Sequence, residues 1–192
     1  LNRKGEPSTD LVIVRGLRAY ASNRDRPMPT QPSQFAMILR KHLNNSRLIG
    51  VEQFGFDRVI RLEFEHGRGR LSLVIELFRD GNVLLLDQDG VIIRPLTHAK
   101  YASRSLKKGE IYSPPPEAVD PRNLNRASLD GILDGSDHAL IRTLASRANL
   151  GRVYGSAACS ISGIGEETQA NSLSVEQRDS LEGALTEMLG SL

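Results

Sequence analysis

Val59-Ile60-Arg61-Leu62-Glu63-Phe64-Glu65 sets Ile60, Leu62 and Phe64 on one side of an extended chain and Arg61, Glu63 and Glu65 on the other. That alternation marks a strand with one face in a core and one in water. Residues 71–78, 82–87 and 91–93 read as further strands. The joints between them are short and glycine-bearing: His66-Gly67-Arg68-Gly69, Arg79-Asp80-Gly81-Asn82 and Gln88-Asp89-Gly90. Such joints make hairpins. A parallel crossover needs a dozen residues or more, so the strands over 57–93 are antiparallel. Val83-Leu84-Leu85-Leu86 lacks a polar alternate, which predicts a strand covered on both sides.

Outward from this sheet, Asp10-Leu11-Val12-Ile13-Val14 and residues 48–53 are two more candidate strands. A helix separates them. Pro32 biases the chain away from helix, Ser33 can cap the amides that follow, and Phe35, Leu39 and Leu43, with Ile38 beside them, recur at four-residue spacing. Arg40 and Lys41 lie off that apolar line, and His42 and Arg47 extend the basic cluster. These side chains either complement the helix dipole or meet phosphate. The opening Leu1-Asn2-Arg3-Lys4-Gly5 reads as the tail of a strand entering a turn, with further sequence expected upstream.

Ser113-Pro114-Pro115-Pro116, with Pro121 soon after, fixes φ repeatedly and withholds amide donors, so neither helix nor central strand runs through it. The expected organisation is a first domain over 1–112, a short semi-rigid linker over 113–124 and a helical domain over 125–192. In the helical part, Asp137 can cap a helix through Leu140, Ile141, Leu144, Ala145 and Ala148, and a second helix runs from Val153 to Cys159. Together, around Asn149-Leu150-Gly151, they form a helix-hairpin-helix-like unit. Ser174 and Gln177 supply a capping box for a last helix whose buried stripe is Leu181, Ala184, Leu185, Met188 and Leu189. Charge divides along the same line. Residues 1–112 hold nineteen lysines and arginines against twelve acids, net +7, and residues 113–192 hold six against eleven, net −5. A basic first half concentrates a polyanion near its surface, each phosphate contact adding salt-sensitive affinity.

A search for chemistry returns little. The four histidines, His42, His66, His98 and His138, lack the local spacing of a metal site. Cys159 sits between alanines and Ile161 with no basic neighbour, the setting of an inert buried thiol. Phosphate-cradling and dinucleotide fingerprints are absent, since Gly67-Arg68-Gly69-Arg70 is a hairpin turn. One cysteine makes no internal disulfide, no run approaches the roughly 20 apolar residues that span a bilayer, and no export signal is visible, so a reducing cytoplasm fits best. The expectation is a binding protein with no catalytic residue, cofactor or metal.

Three segments stand out from the scaffold. They are Pro32-Ser33-Gln34-Phe35-Ala36-Met37-Ile38-Leu39-Arg40-Lys41-His42-Leu43, Phe54-Gly55-Phe56-Asp57-Arg58, and the polar basic run from His98 to Gly109. In the last, Tyr101 can stack a base while Lys100, Arg104, Lys107 and Lys108 hold phosphates. Asp57 and Arg58 stand at a strand entrance. Either they are a turn aspartate and a surface arginine, or Arg58 donates to phosphate or a base edge while Asp57 accepts from a base amino group or positions an arginine.

With Glu76-Leu77-Phe78-x-x-Gly81-Asn82-Val83 and Tyr112-x-Pro114-Pro115, these residues resemble the N-terminal domain of the NFACT family. That family includes the Rqc2 (Tae2), NEMF and RqcH proteins and the so-called fibronectin-binding proteins. The resemblance covers nearly all of 8–116, and 125–192 resembles the family's middle helix-hairpin-helix domain more weakly. It implies an α+β fold, an antiparallel β-sandwich-like domain with helices like the N-terminal domain of formamidopyrimidine DNA glycosylases, followed by a small helical domain. It implies a role in ribosome-associated quality control, with the obstructed large ribosomal subunit, tRNA and ribosomal RNA as partners and no membrane. Asp57-Arg58 matches an Asp-Arg pair that the family uses in tRNA handling. The family's coiled coil and C-terminal RNA-binding domain are not in these 192 residues, which puts tailing by this segment alone in doubt. The glycosylases' catalytic N-terminal proline has no counterpart, and a shared fold does not transfer the chemistry. A general nucleic-acid-binding module and a protein-interaction or adhesive module are the rival readings.

Overall fold

The computed structural model describes residues 5, 8–67, 69–78, 80–116 and 118–190, in two compact units, Leu1–Pro116 and Glu117–Leu192. The expected strand tail at Leu1 to Lys4 lies outside the described residues, as do Arg68 and Arg79 of the hairpin joints. The architecture is α+β, with antiparallel sheets in the first unit and helices in the second.

Five strands build the central sheet in chain order: β3 (Arg47–Gln53), β4 (Val59–His66), β5 (Gly69–Glu76), β6 (Asn82–Leu86) and β7 (Ile92–Pro95). Every neighbouring pair is antiparallel, and the His66↔Gly69 register leaves a two-residue turn. The strand without polar alternates is buried throughout. Leu84 and Leu86 join Val59, Val74 and Ile92 in one core, while Val83 and Leu85 join Leu62, Phe64, Leu73 and Ile75 in the other. Full burial of each leucine stabilises the fold by roughly 1.5–3 kcal/mol.

Each core has its own cover. On the Leu85 side lies the helix α1 (Gln34–Leu43), capped as expected by Ser33, whose hydroxyl accepts from the Ala36 N–H at 3.2 Å. Its Phe35, Ile38, Leu39 and Leu43 pack on that face beside Leu11, Ile13 and Ala19 of the hairpin β1 (Asp10–Val14) and β2 (Arg18–Ser22). On the Leu84 side lie Ala99, Tyr101, Leu106 and Tyr112, carried by the two-residue strands β8 (Ala99–Lys100) and β9 (Ser105–Leu106) and the segment after them. The polar side of β4 is therefore not wet along its whole length. Val59 is fully buried there, and Arg61 lies over the Phe54 ring at 4.8 Å.

The second unit holds α2 (Arg126–Asp134), α3 (Leu140–Ser146), α4 (Gly151–Ser162) and α5 (Val175–Leu189) around a core of Leu129, Leu133, Leu140, Leu144, Leu181 and Leu185. The Ser174–Gln177 capping box starts α5 as read from the sequence. The start of α3 departs from that reading. Asp137 does not cap it, because Leu140 and Ile141 N–H groups donate to the carbonyls of Thr168 (2.7 Å) and Glu166 (3.1 Å) in a distant loop. The helix stops at Ser146, short of the expected Ala148. Arg178 ties α5 to α2 through Asp130 (3.0 Å) and Asp134 (2.6 Å). The proline-rich stretch divides between the units: Ser113 to Pro116 pack on the first, while Pro121 is buried in the second.

Gly81, at φ +64°, closes the β5–β6 joint against the tip of the β1–β2 hairpin, and a Cβ on it would lie 2.0 Å from the Gly16 amide nitrogen. Gly90 has a similar φ of +77° with open space around it. Gly90→Ala is expected to destabilise by backbone strain alone, roughly 1–2 kcal/mol. Gly81→Ala adds overpacking, for about 2–5 kcal/mol in all. Urea unfolding of the two variants checks this, and equal midpoints would rule out the interlock.

Candidate nucleic-acid interface

The apolar run of β5 ends on Glu76, a carboxylate only 1% exposed. A charge in that position requires a partner. Arg104, in the turn between β8 and β9, supplies it. Both Glu76 oxygens accept from its guanidinium, Nη2 to Oε2 at 3.1 Å and Nη1 to Oε1, while Nη1 also donates to the Ser113 carbonyl at 3.1 Å. The Arg104 side chain is 4% exposed. Its guanidinium lies 4.8 Å from the Tyr101 ring centre and 5.8 Å from that of Phe78. The Tyr112 hydroxyl donates to Glu76 Oε1 at 3.0 Å. Burial works against the Arg104 charge, but the hydrogen bonds and charge of Glu76 outweigh it and hold the guanidinium above its ordinary value. Burial, then the Glu76 charge, pushes the Tyr112 phenol well above its usual value near 10.

Arg104, Tyr101 and Phe78 of this cluster also line an open groove of about 430 Å³, with Asp57, Ala102, Ser103, Pro115 and Pro116. Asp57 reaches it from the β3–β4 turn, where Gly55 takes φ +51° and the Asp57 N–H donates to the Phe54 carbonyl at 2.9 Å. Asp57 Oδ1 accepts from the Arg58 N–H at 3.0 Å, and the Arg58 carbonyl accepts from the Leu77 N–H at 2.8 Å. Asp57 thus shapes its turn and lines the groove at once. The Arg58 side chain is exposed beside it.

The expected contact residues do not form one cluster. Asp57, Tyr101 and Arg104 come together in the groove, with Arg104 committed to the interior. Lys100, Lys107 and Lys108 are exposed on β8 and in the turn after β9. Lys41 lines a second cavity, of about 320 Å³, with His42, His66 and Arg70, at the opposite end of the strands. The length of β4 puts the two ends roughly 20–25 Å apart. Arg40 is exposed on α1 next to Lys41. Glu76, Phe78, Tyr112 and the two prolines were not read as site residues. The signal for Glu76 was present, a lone carboxylate ending an apolar strand.

Cys159 is buried, and that burial, reinforced by Glu166, raises its thiol pKa, the state of an unreactive cysteine. Among the described residues no three histidine, cysteine or acidic side chains gather to hold a metal ion, and no helix is long and apolar enough to cross a membrane.

The family model described as NFACT N-terminal and middle domains matches residues 4–192. The chain belongs to the NFACT family. This NFACT chain is 35% identical over 160 residues to the archaeal Rqc2 homolog aRqcH of Methanocaldococcus jannaschii, a match over 79% of the chain and 24% of that protein. It is 41% identical over 86 residues to ribosome quality control complex subunit 2 of Saccharomyces cerevisiae, covering 45% of the chain and 8% of the relative. Human ribosome quality control complex subunit NEMF is 34% identical over 94 residues, 49% of the chain and 9% of that protein. The chain thus spans about a quarter of the archaeal relative and under a tenth of the eukaryotic ones. Among solved structures, the fibrinogen binding protein from Staphylococcus aureus matches 95% of the NFACT chain and 66% of its own, with a TM-score of 0.68 at 18% identity, a likeness of fold. The N-terminal part of the fibronectin/fibrinogen-binding protein from Streptococcus suis gives 0.59 at 23% identity, over 88% and 63% of the two chains.

Glu76→Gln is expected to destabilise the first unit by about 3–5 kcal/mol, because it leaves Arg104 buried without its counter-charge. A Tyr112→Phe substitution removes one hydrogen bond and costs only ~1 kcal/mol. Because the folded-state pKa of Tyr112 is raised above its unfolded value, its contribution is fully present below pH ~10 and is lost as pH rises through the folded value. Tyr112→Phe should therefore flatten the alkaline loss of stability in melts taken from pH 8 upward. An unchanged alkaline profile would count against the buried phenol.

Proposed function

We propose that this NFACT chain is the RNA-recognising part of a ribosome-associated quality-control factor, holding tRNA on the obstructed large ribosomal subunit. The observation that carries this reading is the groove. It is lined by both an acceptor residue, Asp57, and an aromatic one, Tyr101, with the exposed Arg58 next to Asp57 in the chain, on a unit of net charge +7. A carboxylate repels phosphate, so Asp57 serves a nucleic acid by accepting from a base amino group or by positioning an arginine such as Arg58. Tyr101 offers a stacking face, and Arg58, with Lys100, Lys107 and Lys108, serves phosphates. The relatives named as ribosome quality control subunits support the ribosomal setting. In this reading the factor works in the cytoplasm, touches ribosomal RNA as well as tRNA, and acts by holding and orienting, with no chemistry or cofactor of its own. Lys41 and Arg40, at the far end of the sheet, make a separate backbone contact.

The test uses Asp57→Asn and Arg58→Ala, each in the full-length protein. Recovery of tRNA at equal amounts of bound large subunit is expected to fall about tenfold or more in each, in keeping with the roughly 1–3 kcal/mol of a base-reading contact. Melting temperatures should stay within a few degrees of the parent. Undiminished tRNA recovery in both variants would reject the reading. Loss that tracks unfolding would assign the pair to the turn alone, and equal binding of duplex DNA would favour a general nucleic-acid module.

A further inference from the structure

Arg104 has the residue type of a phosphate contact and the surroundings of a structural one. Its side chain is 4% exposed, its donors go to Glu76 and the Ser113 carbonyl, and aromatic rings lie close to its guanidinium. The segments it joins are those that bound the groove. Glu76 ends β5, Tyr101 and Arg104 belong to the turn between β8 and β9, and Ser113 leads into Pro115 and Pro116. β8 and β9 are two residues each, too short to hold a turn by their own ladder. Tyr112 braces the same carboxylate from the exit segment.

We infer that the Glu76–Arg104 pair is a positioning element for recognition: it fixes the Tyr101 ring and the proline wall opposite Asp57, so RNA affinity at the groove depends on a pair that touches no RNA. This rests on the reading of the groove as an RNA site. It makes a prediction that a directly binding arginine does not. Removing a phosphate contact lowers the slope of log affinity against log salt by about one, whereas removing a positioning pair lowers affinity and leaves the slope alone.

The experiment measures tRNA binding by the full chain at four or more salt concentrations. The double variant Glu76→Leu/Arg104→Met replaces both charges together, the kind of exchange that buried pairs tolerate without loss of fold. Its affinity is expected to fall about tenfold with the parent's salt slope. Unchanged affinity, or a slope smaller by about one, overturns the proposal. Asp57→Asn is measured beside it. If Asp57→Asn weakens binding and the double variant does not, the groove reading stands and the positioning role falls; if neither weakens binding, both fall. Tyr112→Phe, which removes a single hydrogen bond from the network, keeps the question decidable should the double variant unfold. In that variant the Tyr101 ring resonances are expected to shift in the absence of RNA, with a two- to threefold loss of affinity. Resonances and affinity that stay in place would overturn the proposal.

Discussion

A five-stranded sheet whose fourth strand, β6, is buried on both faces must be covered twice, and that constraint shapes the rest of the first unit. Val83 and Leu85 need one cover, Leu84 and Leu86 another. The first comes from sequence before the sheet, α1 and the β1–β2 hairpin, and its chemistry is ordinary apolar packing. The second comes from sequence after it, residues 99–112, and is smaller. It closes over the edge where β5 ends on a carboxylate, so apolar contact alone does not complete it. The Glu76–Arg104–Tyr112 network is what a cover requires when a charge lies beneath it. The groove at Asp57 sits along that seam, so the candidate site and the closure of the core share residues.

How much of this was legible in the sequence depended on how locally the information was stored. Strict alternation in β4, glycine-bearing joints and the unbroken apolar run of β6 placed the central sheet. Ser33 and the four-residue spacing after it placed α1, and the Ser174–Gln177 box placed α5. What escaped was either short or distant. β2 reads Arg-Ala-Tyr-Ala-Ser, with little apolar contrast, and β8 and β9 are too brief to show a period. α2 begins with a capping box that uses serine in place of glutamate or glutamine and carries Gly131 inside it. The start of α3 is held by loop carbonyls more than twenty residues on, which no local pattern reports. In the site, Asp57, Arg58 and Tyr101 stood out by residue type, but the partner of Glu76 lies 28 residues away. Arginine in a basic stretch reads as surface until its burial is known.

The charge division and the fold agree on where a polyanion would be met. The basic unit carries the groove and the exposed lysines, while the acidic unit directs three of its arginines, Arg122, Arg126 and Arg178, toward its own aspartates. Asp57 shows why the two readings of a turn residue need not compete. Its Oδ1 shapes the turn by accepting from the following amide, and the same residue lines the groove.

The separation between Glu76 and Arg104 also has a consequence for synthesis. A chain made from its N-terminus emerges with the hydrophobic hairpins of β4 to β6 complete well before the arginine that neutralises Glu76 leaves the ribosome, and Ser113 follows nine residues later. During that interval one face of the sheet, Val59, Val74, Leu84 and Leu86, has no lid.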